Sequence, residues 1–382
     1  MPAHILVHAG SYTPDTGGDG TGLTALWLDP ATGSLSAEPG LPDVPVSGPS
    51  FLAAHPSGRV VYCTNEAESG TVSAFARQSD GGLVAVGEPL PSGGANPCHL
   101  SVHPGGDWLL TANYGTDTAP GTVGVHRLDA DGVPVELTDI AVHEGSGPVT
   151  GRQEGTHAHQ VVTDPEGRFV LAVDLGADAV FAYRLDTAAG TLEQAAVSRV
   201  TPGSGPRHLA FAPAGDVVWI ADELSSSVSG LRYDTGTGTL SPVSRTPATM
   251  AMDTPNQPGG IVASPCGRFV WVTNRGADTV AAFRVSGAGD ILYPIAETPS
   301  GGDWPRGLSL AGGHLLVSNQ RSGTLAALRI LDTGALEQRA PAAAVPSVIC
   351  TVSQGLSGQD RPDRPWNRAR PVPGRVIVRD SA

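Results

Sequence analysis

The sequence predicts an all-β fold, a seven-bladed β-propeller of four-stranded antiparallel blades closed by its N- and C-terminal segments in one blade. Three observations predict it. First, a turn residue recurs nine positions ahead of a polar residue that ends an apolar strand. The pairs are Pro56 and Asn65, Pro104 and Asn113, Pro165 and Asp174, Pro213 and Asp222, Pro265 and Asn274 and, with a degenerate turn, Leu310 and Asn319. Successive strand-ending residues are offset by 48, 61, 48, 52 and 45 positions, the length of a propeller blade. Second, the chain has 50 glycines and 33 prolines and only 16% charged residues, a composition suited to many short strands joined by tight turns. Third, no window combines helical periodicity with helix caps, so almost no helix is expected.

Residues 155–186 contain one complete copy of the pattern. The run from His159 to Val162 leads into a first strand, Asp164-Pro165-Glu166-Gly167 forms a turn, and residues 168–174 form a second strand. Gly176-Ala177-Asp178 turns the chain again. Residues 179–185 then supply a third strand, in which Val180, Phe181 and Tyr183 are strand-favouring types. A fourth strand is expected just after it. Ahead of the first full copy, residues 5–11 and 22–29 read as the second and third strands of a blade that lacks its first. Residues 345–353, VPSVICTVS, supply that first strand, so the two termini complete a seventh blade and leave no free sheet edge. Residues 1–353 are thus expected to form one propeller domain. Residues 354–382 are an arginine- and proline-rich tail, mobile or packed on the outside. The long offset places an insertion at residues 141–155, whose HEGSGPVTGRQEG has no strand pattern; a functional loop and a plain connector both fit it.

The formal charge of −14 excludes a nucleic-acid or anionic-membrane surface as the main function, because both need clustered lysine and arginine. A local basic pocket is still allowed. MPAHILVHAGSYT has neither a basic n-region nor an apolar h-region, so a cytoplasmic protein with no signal peptide and no spanning segment is expected. Cys63, Cys98, Cys266 and Cys350 are too scattered for a disulfide framework or a zinc site. No cofactor is expected, and the chain reads as a monomer or weak homodimer. There is no GxSxG elbow, P-loop, dinucleotide fingerprint or HExxH.

In a propeller the first strand of each blade runs along the central channel and the second runs back, so the start of one and the end of the other share a rim. Six residues before the turn proline, the copies carry Ser50, Cys98, His159, Arg207 and Gly259, with Arg306 in the sixth copy once two residues are deleted. One residue after the strand-ending Asn or Asp, they carry Glu66, Tyr114, Leu175, Glu223, Arg275 and Gln320. His159, Arg207, Glu223 and Arg275 fall in three consecutive blades at one rim. They suit chemistry on an ester or lactone of an anionic molecule. Arginine forks hold oxyanions, and a His or Glu moves a proton to or from water or a leaving alkoxide. An internal salt-bridge ring between blades fits the same residues. The strand-ending Asn65, Asn113, Asp174, Asp222, Asn274 and Asn319 offer calcium-type oxygens, although a residue repeated in every blade also suits a turn-former bonded to its own backbone.

The chain resembles the lactonase family of seven-bladed β-propellers, the type that includes bacterial 6-phosphogluconolactonase and carboxy-cis,cis-muconate lactonizing enzyme. The resemblance covers residues 4–353 and rests on several pieces in order. These are Gly10-Ser11-Tyr12-Thr13, NPCHLSVHPGG with TANYG, GRQEGTHAHQVVTDPEGRF with VDLGAD, GSGPRHLAFAP with DELSSSV, NQPGGIVASPCGRFVWVTNRGADTV and PSVIC. It implies a metal-independent hydrolase of a sugar-acid lactone whose catalytic residues are His159, Arg207, Glu223 and Arg275. His157 is the alternative catalytic histidine or a substrate contact. Arg152 and Gln153 are expected to fold over the channel mouth near His157 and Arg207. Glu66, Tyr114, Cys98, Arg306 and Gln320 complete the expected substrate-binding rim. The same site would serve a ring-closing cyclase or isomerase, and a propeller acting as a binding scaffold is the alternative of another class. Gly259-Gly260 and Gly307 depart from the family pattern at the rim.

Overall fold

The computed structural model describes residues 4–37 and 40–353. The arginine- and proline-rich stretch at 354–382 lies outside the described residues. The rest forms seven antiparallel sheets around a central channel. The 155–186 unit forms the third sheet, with strands Ala158–Thr163, Val170–Asp174, Ala179–Asp186 and Thr191–Arg199 in that order from the channel outward. The only helical segment among the described residues is the 3-10 turn Pro14–Thr16.

The composite blade forms as its sequence predicts. Val348–Ser353 pairs with Ile5–Ser11, which pairs with Leu23–Leu28, and the short strand Leu35–Ala37 completes the sheet. Val348–Ser353 also packs against the first strands on either side of it, Pro305–Ala311 and Pro49–Ala54. The two ends of the chain therefore close the ring within one blade. Each interface between neighbouring blades has its own apolar cluster of buried side chains, as the alternation of residues along a strand requires.

Two boundaries move relative to the sequence reading. Ala141 and Val142 belong to the outer strand Pro134–Val142, where they pair with Val123 and Thr122. The insertion therefore occupies residues 143–157. In the sixth blade Ala311 pairs with His314. This hairpin turns through Gly312 and Gly313 at φ 54° and 85°, a two-residue turn that needs left-handed backbone at both positions. That tighter turn accounts for the two missing residues, and Leu310 lies inside its strand.

The strand-ending polar residues act within their own blades. Asn65 donates to the Ser47 carbonyl and accepts from Ser73. Asp222 accepts from Ser227 and Ser229, and Asn274 and Asn319 donate to the carbonyls of Ala248 and Ser300. Asn65, Asn274 and Asn319 thereby tie the end of their second strands to the chain that crosses the rim, and Asp222 ties its own to the third strand, the turn-bonding role that suits a residue repeated in every blade.

A Cβ added at Gly10 would lie 2.6 Å from the Pro49 carbonyl oxygen and 2.8 Å from Cys350 Sγ. Gly10→Val is therefore expected to wedge the composite blade away from the first full one. The expected loss is about 1–3 kcal/mol of stability, read as a lower urea midpoint with an unchanged slope.

Candidate active site

At the entrance of every first strand the pairing with the second strand slips. The slips fall between Pro49 and Leu52, Pro97 and His99, Ala158 and Gln160, Pro206 and His208, Pro258 and Ile261, and Pro305 and Gly307. A bulge leaves its extra residue out of the ladder and re-aims that side chain. The residues left out are Ser50 with Phe51, Cys98, His159, Arg207, Gly259 with Gly260, and Arg306. In the composite blade Ile349 takes the same place. These are the positions that the repeat register selects on the first strand.

They line two connected chambers. The outer one is a cavity of about 430 Å³ bordered by Glu66, Asn96, Cys98, Tyr114, Arg152, His159, Glu223, Gln257, Arg275, Trp304, Arg306, Gln320 and Arg321. The inner one, about 180 Å³, shares Cys98 and Arg306 with it and adds Ser50, Phe51, Arg207, His208, Gly260, Gly307 and apolar side chains. Elsewhere a wider groove of about 480 Å³ runs past Arg245 and Met252. There Arg245 Nε is committed to Ser227 Oγ and no other charged group lines it, so the chemistry concentrates in the channel.

Glu223 is the electrostatic centre. It follows the strand Val217–Asp222 and its amide donates to the Gly205 carbonyl. Its carboxylate receives Arg152 Nη2 at 2.5 Å on one oxygen, and Arg275 Nη2 at 2.5 Å and Arg207 Nε at 3.2 Å on the other. The Arg207 contact is close enough for charge pairing, but the Nε–H is not aimed at the oxygen and makes no hydrogen bond. Arg275 is held further by the carbonyls of Gln257 and Pro258, each at 3.0 Å. Burial alone would push the Glu223 carboxyl up. The guanidinium charges of Arg275 and Arg207, then His159 and the Arg152 hydrogen bond, outweigh burial and hold it well below the usual carboxylate range. Burial, with the charges of Arg275 and Arg306, pulls Arg207 down.

His159 is buried, with Nδ1 3.8 Å from Cys98 Sγ and its ring edge-on to Tyr114 and His208. Burial first, then the Arg207 charge, lowers its pKa well below the ordinary value, so the imidazole is neutral at neutral pH. Burial pushes the Cys98 thiol far up, so it stays protonated. Its Sγ–H donates to the Ala158 carbonyl oxygen, with Sγ 3.5 Å from it.

The other expected residues divide by orientation. Arg152 reaches from the insertion to Glu223, which puts that loop on the rim of the cavity. Gln153 is fully buried, and its amide donates to the Leu175 carbonyl and accepts from the Val149 amide, so it shapes the loop and does not face the cavity. His157 also stands behind the lining. Its Nδ1 lies 2.9 Å from the Tyr114 carbonyl and its ring stacks on Tyr114 at 4.2 Å. Glu66 accepts from Tyr12 Oη at 2.9 Å, while Cys98, Tyr114, Arg306 and Gln320 border the cavity as expected.

The rim also includes Asn96, Gln257, Trp304 and Arg321, which the repeat register did not single out. Asn96, Gln257 and Trp304 each stand two residues ahead of a bulge and directly before a proline, as His157 stands two ahead of His159. Arg321 stands two after the strand-ending Asn319. The signal was the same count, carried one step further out. Trp304 has φ 63°, a left-handed conformation that costs a non-glycine residue about 1–2 kcal/mol and is typical of binding sites. The Arg321 guanidinium lies 3.4 Å over its ring, and that of Arg275 5.7 Å from it.

The family model described as "Lactonase, 7-bladed beta-propeller" matches residues 6–353. The chain is 31% identical over 348 residues to a 6-phosphogluconolactonase of Bacillus subtilis, covering 90% of this chain and 96% of that protein. It is 29% identical over 300 residues to a 6-phosphogluconolactonase of Formosa agariphila, covering 76% and 83%. Among solved structures, the periplasmic gluconolactonase of Pseudomonas aeruginosa superposes with a TM-score of 0.85 at 28% identity, covering 92% of this chain and 99% of that one. A protein from Lactobacillus plantarum gives 0.83 at 27% identity, covering 92% and 99%.

Two outcomes follow from the buried charges. Glu223→Gln leaves three guanidinium groups without their counter-charge and is expected to cost about 3–5 kcal/mol, measured as a lower thermal midpoint that added phosphate partly restores. The second concerns pH. His8 is lowered to about 4 and His99 to about 3, chiefly by burial, while His159 and His208 lie well below 6.5. The unfolded chain therefore takes up protons below pH 6.5 that the folded chain refuses. Stability is full above pH 6.5 and falls as pH drops from there toward about 3, by up to about 1.4 kcal/mol per pH unit for each histidine. Urea midpoints measured from pH 7.5 to 5 should decline steadily. A flat profile would show that these imidazoles are not held neutral.

Proposed function

The chain belongs to the lactonase family of seven-bladed β-propellers, and from that membership we propose that it hydrolyses a sugar-acid lactone of the 6-phosphogluconolactone kind in the outer cavity. The observation that carries the reading is a neutral, buried His159 beside guanidinium groups anchored on one carboxylate, in a chain of net charge −14. The relatives named 6-phosphogluconolactonase support the same reaction class. No helix among the described residues is long and apolar enough to cross a membrane. Four buried, unpaired cysteines suit a reducing cytoplasm, in which we place the protein as a monomer or weak homodimer.

In this reading His159 takes a proton from water as the oxygen attacks the lactone carbonyl. The carbonyl oxygen becomes an oxyanion, and guanidinium N–H groups of Arg207 and Arg275 stabilise it. A guanidinium has five N–H donors. Arg275 commits Nε and Nη2 to protein acceptors, which leaves Nη1 for the substrate. Collapse of the tetrahedral adduct breaks the ring C–O bond, and the imidazolium returns its proton to the leaving alkoxide, giving the hydroxy acid. Glu223 is held deprotonated by its arginines, so it positions them and leaves proton transfer to His159. Run backwards, the same groups would close a ring. Every step uses side chains of this chain and water alone, and none is routed through a metal.

The test is acid release from 6-phosphogluconolactone by purified protein, with and without chelator. Acceleration over spontaneous hydrolysis that survives the chelator is expected. His159→Gln should lower kcat/KM by about 10²–10⁴, and the wild-type kcat/KM should stay level from pH 8 to 6.5 and fall only below that. Absence of acceleration would sink the phosphogluconolactonase reading. Acceleration that Arg275→Ala leaves unchanged would move the reaction to another site.

A further inference from the structure

We propose that Arg306 and Arg321, backed by Tyr12 and Trp304, form a second cationic subsite that grips an anionic substituent of the substrate, a phosphate or carboxylate remote from the reacting carbonyl. This rests on the lactonase reading above.

The guanidinium groups around the outer cavity fall into two sets. Arg152 and Arg275 share the Glu223 carboxylate with Arg207, which lines the inner chamber. Arg306 and Arg321 line the same cavity, yet among the described residues their side chains make no hydrogen bond and no ion pair. Each instead lies against an aromatic ring, Arg321 at 3.4 Å from the Trp304 centroid and Arg306 at 5.8 Å from that of Tyr12. Stacking covers the face of a guanidinium and leaves its in-plane N–H fork free. That fork matches the paired oxygens of a phosphate or carboxylate.

Glu66, a candidate counter-ion for Arg306, accepts from the Tyr12 hydroxyl. Its carboxylate charge helps keep Arg306 protonated despite burial without closing its fork. The lining thus holds four guanidinium groups against two carboxylates, an excess that a lactone carbonyl does not consume. A bound neutral lactone would leave the Arg306 fork desolvated and unpaired, which disfavours it. Backbone bonds hold the subsite in place. The Trp304 amide donates to Asp278 Oδ1 at 2.9 Å, and the amides of Gln320 and Arg321 donate to the carbonyls of Trp304 and Asp303. Gln320 Oε1 is buried without a partner and offers an acceptor to a substrate hydroxyl beside the anion.

The experiment has two arms. In the first, calorimetry with inorganic phosphate should show binding to the wild type and to His159→Gln. Binding should weaken by at least about tenfold in the Arg306→Ala/Arg321→Ala double variant, as loss of charged hydrogen bonds implies. In the second, the ratio of kcat/KM on 6-phosphogluconolactone to that on glucono-δ-lactone should fall about 10- to 100-fold in Arg321→Ala, mainly through KM. Arg321→Lys, with circular dichroism as the check on folding, should recover part of the ratio. Phosphate binding that is as tight in the double variant as in the wild type, or a proportional loss on both lactones, would overturn the subsite. A wild type that hydrolyses neither lactone but binds phosphate through Arg306 and Arg321 would overturn the lactonase reading and leave the subsite standing.

Discussion

The site depends on the β-bulge at the entrance of each first strand. In an unbroken strand successive side chains point to opposite faces of the sheet, and in a propeller both faces are pressed against neighbouring blades. An arginine or histidine there would sit in one of the apolar clusters between blades. The slip in pairing removes one residue from that alternation and turns it toward the channel. Because each blade repeats the slip, the channel receives one side chain per blade from nearly the same backbone geometry. Thiol, imidazole, guanidinium and hydroxymethyl then differ by substitution alone. A ring of this kind can change its chemistry without changing its fold.

Charge within that ring is balanced around Glu223. A carboxylate buried in an apolar channel would normally be neutral, and it stays charged because arginines from the insertion, its own blade and the next blade converge on it. Burial, and after it the charge of Arg207, keeps His159 neutral. The salt-bridge ring and the proposed catalytic constellation, which the sequence left as alternatives, share the same residues, with the ion pairs fixing the orientation of the arginines. The net charge of −14 does not oppose anion binding here. Exposed charges more than about 8–10 Å away are screened in physiological salt, whereas the enclosed guanidinium groups act at contact distance.

Much of this was legible in the sequence because both signals are periodic. The turn-to-Asn interval exposed the blades, and the composite blade followed from the two unpaired ends. Counting from the same turns reached His159, Arg207, Glu223 and Arg275. The insertion was harder to read. Its start was misplaced because Ala141 and Val142 extend an outer strand whose pairing with Thr122 and Val123 leaves no trace in a half-exposed strand. Gln153 looked like a rim residue, yet a loop without strands must satisfy its own backbone, and only the folded path shows which polar side chains turn inward. Trp304 was passed over because a bulky residue before proline reads as a turn filler. Its left-handed backbone and its stack with Arg321 emerge only when the sixth blade is in place.

The glycines that depart from the family pattern show where specificity can and cannot reside. A Cβ on Gly259 would come within 2.6 Å of Thr273 Oγ1 and 2.9 Å of the Arg306 carbonyl, and one on Gly260 within 2.9 Å of Leu308 Cβ. A Cβ on Gly307 would collide with the Ile349 carbonyl. In this chain the fifth, sixth and composite blades approach backbone to backbone at the channel, and the glycines are required by that approach. Bulkier residues there would need wider spacing between blades, so the departures are tied to packing before they bear on any substrate. With those glycines carrying no side chain, Trp304, Arg306, Gln320 and Arg321 are the sixth-blade groups that line the cavity. They face the Glu223 cluster across a cavity of about 430 Å³, within the size range of small-molecule sites. Under the proposed function, reaction and recognition would fall to different blades, with the reacting carbonyl on the third to fifth and the remainder of the substrate on the sixth.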